Sequence, residues 1–354
     1  MAIDLTGGLD DAKEHVFAQR PDNPDMRDSI SMWISDDRGA LGIPRIGVEA
    51  VASSWETHLL QLNLVFPDGR VYRARDSGPA LPAVGDDGLP TILGAGPLAF
   101  RCVEPFQTWT VTFQGTAVQT STEALIAGRA EDSRAEVEFH VEATMSAPPW
   151  IQGALLPDAA ERRNSSVEGD LMGGPRYEQL FRAKGTLRVG AEEHVFAGTG
   201  LRIRRQGVRN LESFWGHCWQ SALFPSGRGF GYIAYPPRAD GAPTYNEGFL
   251  FDGDGPLIPA RVVSAPWLAK LQAAGEDVSL VLETSRGRTR IEGETVLSTF
   301  DVFDRPEMPN FPVLYQGGIR YRWDGEETYG MLERSSTRDK ISWPLRDLSV
   351  WPPR

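Results

Sequence analysis

From His58 to Ala74 the chain reads HLLQLNLVFPDGRVYRA, and Leu60, Leu62, Leu64 and Phe66 alternate with Gln61 and Asn63. A two-residue period of this kind belongs to a strand with one buried face. The interruption at Pro67-Asp68-Gly69 predicts a hairpin turn in which Gly69 takes a positive φ. Similar strand readings, broken by Gly, Pro, Asp or Asn, apply to TWTVTFQGTAV, AEVEFHVEATM, YEQLFRAKGTLRV, RGFGYIAYPP, VSLVLETSRGRTRIEGETV and GGIRYRWDGEETYGMLERSS. Helical patterns are few. STEALIAGRA near 121–130 and APWLAKLQAAGED near 265–277 are each long enough for a turn or two. The expected class is all-β, with short strands and many turns.

Residues 146–175, SAPPWIQGALLPDAAERRNSSVEGDLMGGP, have no clean period and read as a long excursion, the kind of loop that tends to be a lid or an insertion. At 354 residues the chain exceeds the size at which single cores usually divide. The expected organisation is an N-terminal extension over 1–26, a first β domain over 27–192 that contains the excursion, and a second over 193–354.

Composition narrows the function. The formal charge is −12, and no cluster of Lys and Arg suggests a nucleic-acid partner. No apolar run approaches the roughly 18–20 residues of a transmembrane helix, and MAIDLTGGLDDAKEHVF has no signal-peptide pattern, so a cytoplasmic protein is expected. Cys102 and Cys218 lie far apart and form no CxxC pair, and His15, His58, His140, His194 and His217 show no HxH or HExxH spacing. No GxSxG elbow and no GxxxxGK[ST] loop is present, and GTGLRIRRQG lacks the strand–GxGxxG–helix setting of a dinucleotide site. Neither a metal nor a cofactor is expected.

The densest chemistry lies in ESFWGHCWQS, 212–221. That stretch, with RYEQLFRAKGTLRVGAEEHVFAGTGLRIRRQGVRN before it, DSISMWISDDRGALGIPRIG earlier and YGMLERSS later, resembles the two-domain lipocalin-like family of hydroxyneurosporene synthase (carotenoid hydratase) and AttH-like proteins. The resemblance is greatest to a bacterial branch in which a Tyr-Glu-Gln strand precedes a Gly-x-Gly-x-Arg stretch and a Trp-Gly element. It spans roughly 27–336. It implies two lipocalin-like antiparallel barrels or sandwiches side by side, with a lipophilic substrate at or near their interface, and activities such as alkene hydration or cyclisation. Some relatives carry Trp-x-Asp-His or Asp-His-Ser-Trp-Gly where this sequence has Glu212, Ser213, Phe214, Trp215, Gly216 and His217. The acidic position is therefore either filled by Glu212 or lost.

If 212–220 is one regular strand, Trp215, His217 and Trp219 share a face and Glu212, Phe214, Cys218 and Gln220 the other. The functional reading is a lipophilic cavity walled by tryptophan, in which a buried donor protonates an alkene or enol. Glu212, Glu178 and His217 are the catalytic candidates. The structural reading is that the strand fills a core and that Glu212 pairs with one of Arg202, Arg204, Arg205 or Arg209. In RYEQLF, Tyr177, Gln179 and Phe181 share a face suited to a barrel interior, opposite Arg176, Glu178 and Arg182. There Tyr177 and Gln179 either orient a ligand or satisfy backbone groups. Trp33 and Tyr245 join Trp215 and Trp219 as binding candidates, with Trp55, Glu56, Tyr235 and Asn246 as weaker ones, while Trp323 and Glu333 are assigned to a closing hairpin. Two functions stand: a cofactor-independent hydratase or lyase, isomerase or cyclase acting on a terpenoid, steroid-like or polyketide-like molecule, or a non-catalytic carrier of such a lipophile. A third is an interaction module whose cavity is filled by its own side chains.

Overall fold

The computed structural model describes residues 3–129, 133–165, 167–238, 240–302 and 311–342. Its first sheet contains β1 (Met26–Asp36), β2 (Gly42–Val51), β3 (Thr57–Val65), β4 (Arg70–Pro79), β5 (Ile92–Ala95), β6 (Leu98–Glu104), β7 (Thr108–Ser121), β8 (Arg134–Met145), β9 (Trp150–Ile151), β10 (Arg176–Val189) and β11 (Glu192–Val208). Its order is β4-β3-β2-β1-β11-β10-β8-β7-β6-β5, and the far end of β7 returns to pair with β4, from Arg70 opposite Ser121 to Arg73 opposite Val118. Eight antiparallel strands thereby close a ring, with the β5–β6 hairpin outside it. The second unit is a closed barrel of β12 (Gly216–Leu223), β13 (Gly229–Ala234), β14 (Asn246–Phe251), β15 (Ile258–Ser264), β16 (Leu280–Thr284), β17 (Gly287–Asp301), β18 (Val313–Trp323) and β19 (Glu326–Ser336), paired in chain order. The fold is all-β, two lipocalin-like units side by side.

Burial along each strand shows why the barrels pack where they do. In β8, Val137, Phe139, Val141, Ala143 and Met145 are buried, while Glu138, His140, Glu142 and Thr144 between them face outward. Such a strand has water on one side. β12 and β13 are buried at every position, and so are most of β1 and the start of β10. A strand without a wet face has protein on both sides, and these strands form the seam between the barrels. Three apolar clusters result. One fills the first barrel and one the second. The third lies between them and joins Trp33, Trp150, Leu180, Leu201 and Ile203 to Trp219, Leu223, Ile233, Phe249 and Met331.

Three details differ from the expected organisation. β11 pairs with both β10 and β1 in the first sheet, so a boundary at 192/193 falls inside a hairpin and the chain changes barrels over 209–215. Of the two helical patterns, 121–130 gives the short α1 (Thr122–Ile126), whereas 265–277 stays irregular because its apolar residues Leu268 and Leu271 pack onto the second barrel. The excursion holds β9 and then α2 (Pro157–Ser165) and α3 (Val167–Met172). It is tied to the second barrel by the fully buried carboxylate of Glu247, which accepts from the backbone N–H groups of Gly153 (2.6 Å), Leu155 (3.0 Å) and Leu156 (2.9 Å), from Trp150 Nε1 (2.9 Å) and from the Tyr245 hydroxyl (2.9 Å).

The segment before β1 closes one end of the first barrel. Glu14 is fully buried and accepts from Trp109 Nε1 (2.6 Å), the Phe106 N–H (3.3 Å), Arg202 (2.9 Å) and the Tyr177 hydroxyl. Burial works against its charge, but Arg202 and these donors hold the carboxyl below its ordinary value. Its contribution to stability is thus complete above the ordinary carboxylate pKa and is lost as pH falls through the lowered folded value. Glu14→Gln leaves the Arg202 guanidinium buried without a counter-charge. We expect it to lower the urea-unfolding free energy at pH 7 by about 3–5 kcal/mol and to weaken the decline in stability below about pH 4.5; an unchanged unfolding midpoint would show that the pair does not hold the barrel end.

Candidate functional site

At the seam, strand alternation aims two small sets of side chains at one space. On the first barrel, register aligns Arg176 of β10, Arg205 of β11, Ser29 of β1 and Glu49 of β2 in a row across four strands. On the second, His217 and Trp219 of β12 lie opposite Ser335 and Glu333 of β19. Directly opposed residues in an antiparallel pair share a face. Between the row and the pairs lies a cavity of about 110 Å³. Its lining combines polar side chains, Arg45, Arg176, Arg205, Arg209, His217 and Glu333, with apolar ones, Phe214, Trp219, Ile233, Tyr235 and Phe311.

His217 is fixed on three sides. Its backbone N–H donates to Ser335 Oγ (3.1 Å), its Nδ1 lies 2.7 Å from the same oxygen, and its Nε2 lies 3.3 Å from Glu333 Oε1. The Ser335 hydroxyl, with one donor and two acceptor sites, complements Nδ1 whether or not that nitrogen carries a proton, and Nε2–H points toward Glu333. Gly216 permits this arrangement. Its φ is +133°, and a Cβ there would stand 2.6 Å from the Ser335 carbonyl oxygen. Glu333 accepts from Gln316 Nε2 (2.6 Å), while Gln316 Oε1 accepts from Asn63 Nδ2 (2.7 Å), and Glu333 pairs with Arg45 (3.2 Å) across the seam. Burial raises the Glu333 pKa, but Arg45, His217 and Gln316 outweigh it and bring the value down to about 2. The cavity therefore holds a permanent carboxylate next to an oriented imidazole.

The other candidate residues lie elsewhere. Glu212 is exposed in the turn before β12, its N–H bonded to the Asn210 side chain (2.9 Å), because the strand begins only at Gly216 and the assumed alternation does not reach back to it. The buried arginines before it pair instead with Glu14, Asp28 and Glu49. Glu178 is buried behind the cavity wall and accepts from Gln152 (2.6 Å), Arg176 (2.7 Å) and Trp219 Nε1 (3.0 Å), with burial raising its pKa. Tyr177 and Gln179 face the interior of the first barrel: the Tyr177 hydroxyl donates to Glu14 and to Lys13 O (3.0 Å), and the Gln179 amide to Leu5 O (2.9 Å) and Ala147 O (3.0 Å). Trp215 precedes the strand and donates to Pro236 O (3.2 Å), and Tyr245 donates to Glu247. Trp33 stands edge-on behind Trp219, ring centroids 4.6 Å apart, with the Arg45 guanidinium over its own ring. Of the candidates, the structure brings His217, Trp219 and Tyr235 to the cavity.

A larger open groove of about 670 Å³ crosses the first barrel, but its charged side chains stand in solvent, as in the half-exposed Glu138–Arg188 pair. Among the described residues no group of three or more His, Cys, Asp or Glu is placed to hold a metal, and no helix is long and apolar enough to cross a membrane. Cys102 and Cys218 are buried and free, and burial raises their pKa values to about 12 and about 11.

The same architecture occurs in solved proteins of distant sequence. An AttH-like protein from Nitrosomonas europaea superposes with a TM-score of 0.54 at 14% identity, covering 91% of this chain and 98% of that one. CghA, solved with Sch210972, gives 0.56 at 11% identity and 89% coverage of both chains. These likenesses establish the fold. No curated protein matches the sequence. A family model described as a domain of unknown function, DUF7064, matches residues 10–338, nearly the whole of both barrels, and the chain belongs to that family.

Proposed function

We propose that the protein is an enzyme that performs acid–base chemistry on a lipophilic small molecule bound in the seam cavity, without a cofactor. The observation that carries this reading is the His217–Glu333 pair, oriented by Ser335 and Gln316 and facing an aromatic wall. A general acid or base needs a fixed direction and a proton partner within reach, and this pair has both. In a hydration, the imidazolium form of His217, its charge offset by the Glu333 carboxylate, gives one proton to an alkene carbon, and the imidazole left behind takes one from the attacking water, so its charge is restored. Dehydration reverses these steps, and isomerisation removes a proton at one carbon and returns it at another. Positive charge developing on the hydrocarbon faces the rings of Phe214, Trp219 and Tyr235. The solved pair of CghA with Sch210972 supports the reading to the extent that this architecture accommodates such a compound there. Terpenoid, steroid-like and polyketide-like molecules are the substrate classes proposed, and a cavity of about 110 Å³ takes only part of one.

Native mass spectrometry followed by solvent extraction identifies any molecule that co-purifies, and that molecule is then incubated with the protein in D2O. Deuterium entering at carbon, or conversion to a product, at a rate that falls by about 10²–10⁴ in His217→Gln, is the expected result. A molecule returned unchanged and undeuterated by wild-type protein would make the chain a carrier.

The low Glu333 pKa gives a second expectation. Glu333 is ionised throughout the assay range, so a kcat/KM profile shows no limb from it between about pH 4 and pH 9, and Glu333→Gln lowers the profile without removing a limb. An ionisation in that range that disappears in Glu333→Gln contradicts the assignment of Glu333 as a permanent carboxylate.

A further inference from the structure

The polar lining of the cavity carries more positive charge than the reaction above requires. Arg27, Arg45, Arg176, Arg205 and Arg209 converge there and behind it, against the carboxylates of Glu49, Glu178 and Glu333. Glu333 takes Arg45, Glu178 takes Arg176, and Glu49 takes both Arg27 and Arg205. Arg209, half-buried, hydrogen-bonds through its Nε to Leu171 O (2.8 Å) and makes no close ion pair among the described residues, Glu49 acting on it only from longer range. Arg205 makes its bonds, to Ser29 Oγ (3.1 Å) and Glu49 (3.3 Å), through one nitrogen, Nη2. The buried Nε atoms of Arg45, Arg176 and Arg205 are without hydrogen-bond partners, a condition they share with Arg202, Arg204 and Arg334 elsewhere.

This arrangement is costly as it stands. Arg176 and Arg205 are both buried, less than a tenth exposed, and lie directly opposite each other in the β10–β11 register, where like charges repel. Burial and repulsion from Arg209, Arg176 and Arg45 outweigh the attraction of Glu49 and lower the Arg205 pKa, and burial with the neighbouring Arg176 outweighs Glu49 and brings Arg209 down to about 10. The other titratable groups facing the space, His217 and Tyr235, supply no further negative charge when neutral. An anion placed between the two guanidinium forks removes the repulsion and supplies the missing acceptors.

We propose that Arg205 and Arg209 form an oxyanion subsite, and that the ligand of the cavity is an amphiphile whose carboxylate or phosphate head lies on these arginines while its apolar body lies on Phe214 and Tyr235. This rests on the seam cavity being the ligand site and names the substrate class that the acid–base reading leaves open. It also orients the substrate: the head lies at the first barrel and the body extends along the second, where His217 reaches it.

The test is binding, measured by calorimetry and by the rise in melting temperature, with octanoate, octyl phosphate and octanol as probes of equal chain length. The expected result is that at least one of the two anions binds about tenfold or more tightly than octanol, that added salt weakens this preference, and that Arg209→Gln removes it. Arg205→Gln gives the same result if it folds, as judged by its own melting curve, and the half-buried Arg209 keeps the test valid if it does not. Comparison of octanoate with octyl phosphate identifies the head group. Octanol binding as tightly as both anions, a preference that survives in Arg209→Gln, or the absence of binding by any probe would each overturn the subsite. None of these readouts involves turnover, so the deuterium experiment succeeds or fails separately.

Discussion

Charge taken out of water has to find a partner, and in this protein that requirement is concentrated on one strand. β11 carries Arg202, Arg204 and Arg205 in four consecutive positions, all buried. Alternation sends Arg202 and Arg204 into the end of the first barrel, to Glu14 and Asp28, and sends Arg205 into the seam, to Glu49. A buried guanidinium without a carboxylate costs several kcal/mol, so the segment before β1 and the β1–β2 hairpin are drawn into position around that strand. Arg202 also lies over the rings of Trp109 and Tyr177, which adds aromatic faces to its ion pair.

The space for a ligand follows from the same packing. Each barrel is filled by its own side chains, so room exists where two surfaces of different chemistry meet and do not interdigitate fully. Polar contacts hold the two faces at that separation: Asn63 with Gln316, Arg45 with Glu333, and Arg75 with Asp301 (2.6 Å). The residues that link the barrels also line the cavity. Arg45 and Glu333 do both, which couples the position of the second barrel to the charge state of the site.

The strands were legible in the sequence because alternation and turn residues are local signals. β3 and β4 with the Asp68-Gly69 turn, and β8, follow directly from pattern. The site was legible only in part. His217 and Trp219 stand two apart on one strand, and their shared face can be read from spacing. Glu333, assigned to a closing hairpin, reaches His217 only because β19 returns beside β12 more than a hundred residues later, and no local pattern encodes that register. The arginines were visible as a run, RIRRQGVR, but which of them turned inward depended on partners at residues 14, 28 and 49. Glu212 shows the converse: a residue attractive by composition lies in solvent because the strand starts four residues after it.

The Glu14–Arg202 contact spans 188 residues. At a ribosomal pace of about 5–20 residues per second, roughly 10–40 s separate the emergence of the two halves of this ion pair. Trp109 and Tyr177, which also donate to Glu14, follow it by 95 and 163 residues, so the carboxylate waits for these donors as well. The first barrel therefore cannot seal its end while it is being made. Its N-terminal segment waits, apolar Val16 included, until β11 has left the ribosome, and the nascent chain is most open to chaperones and to misfolding during that delay.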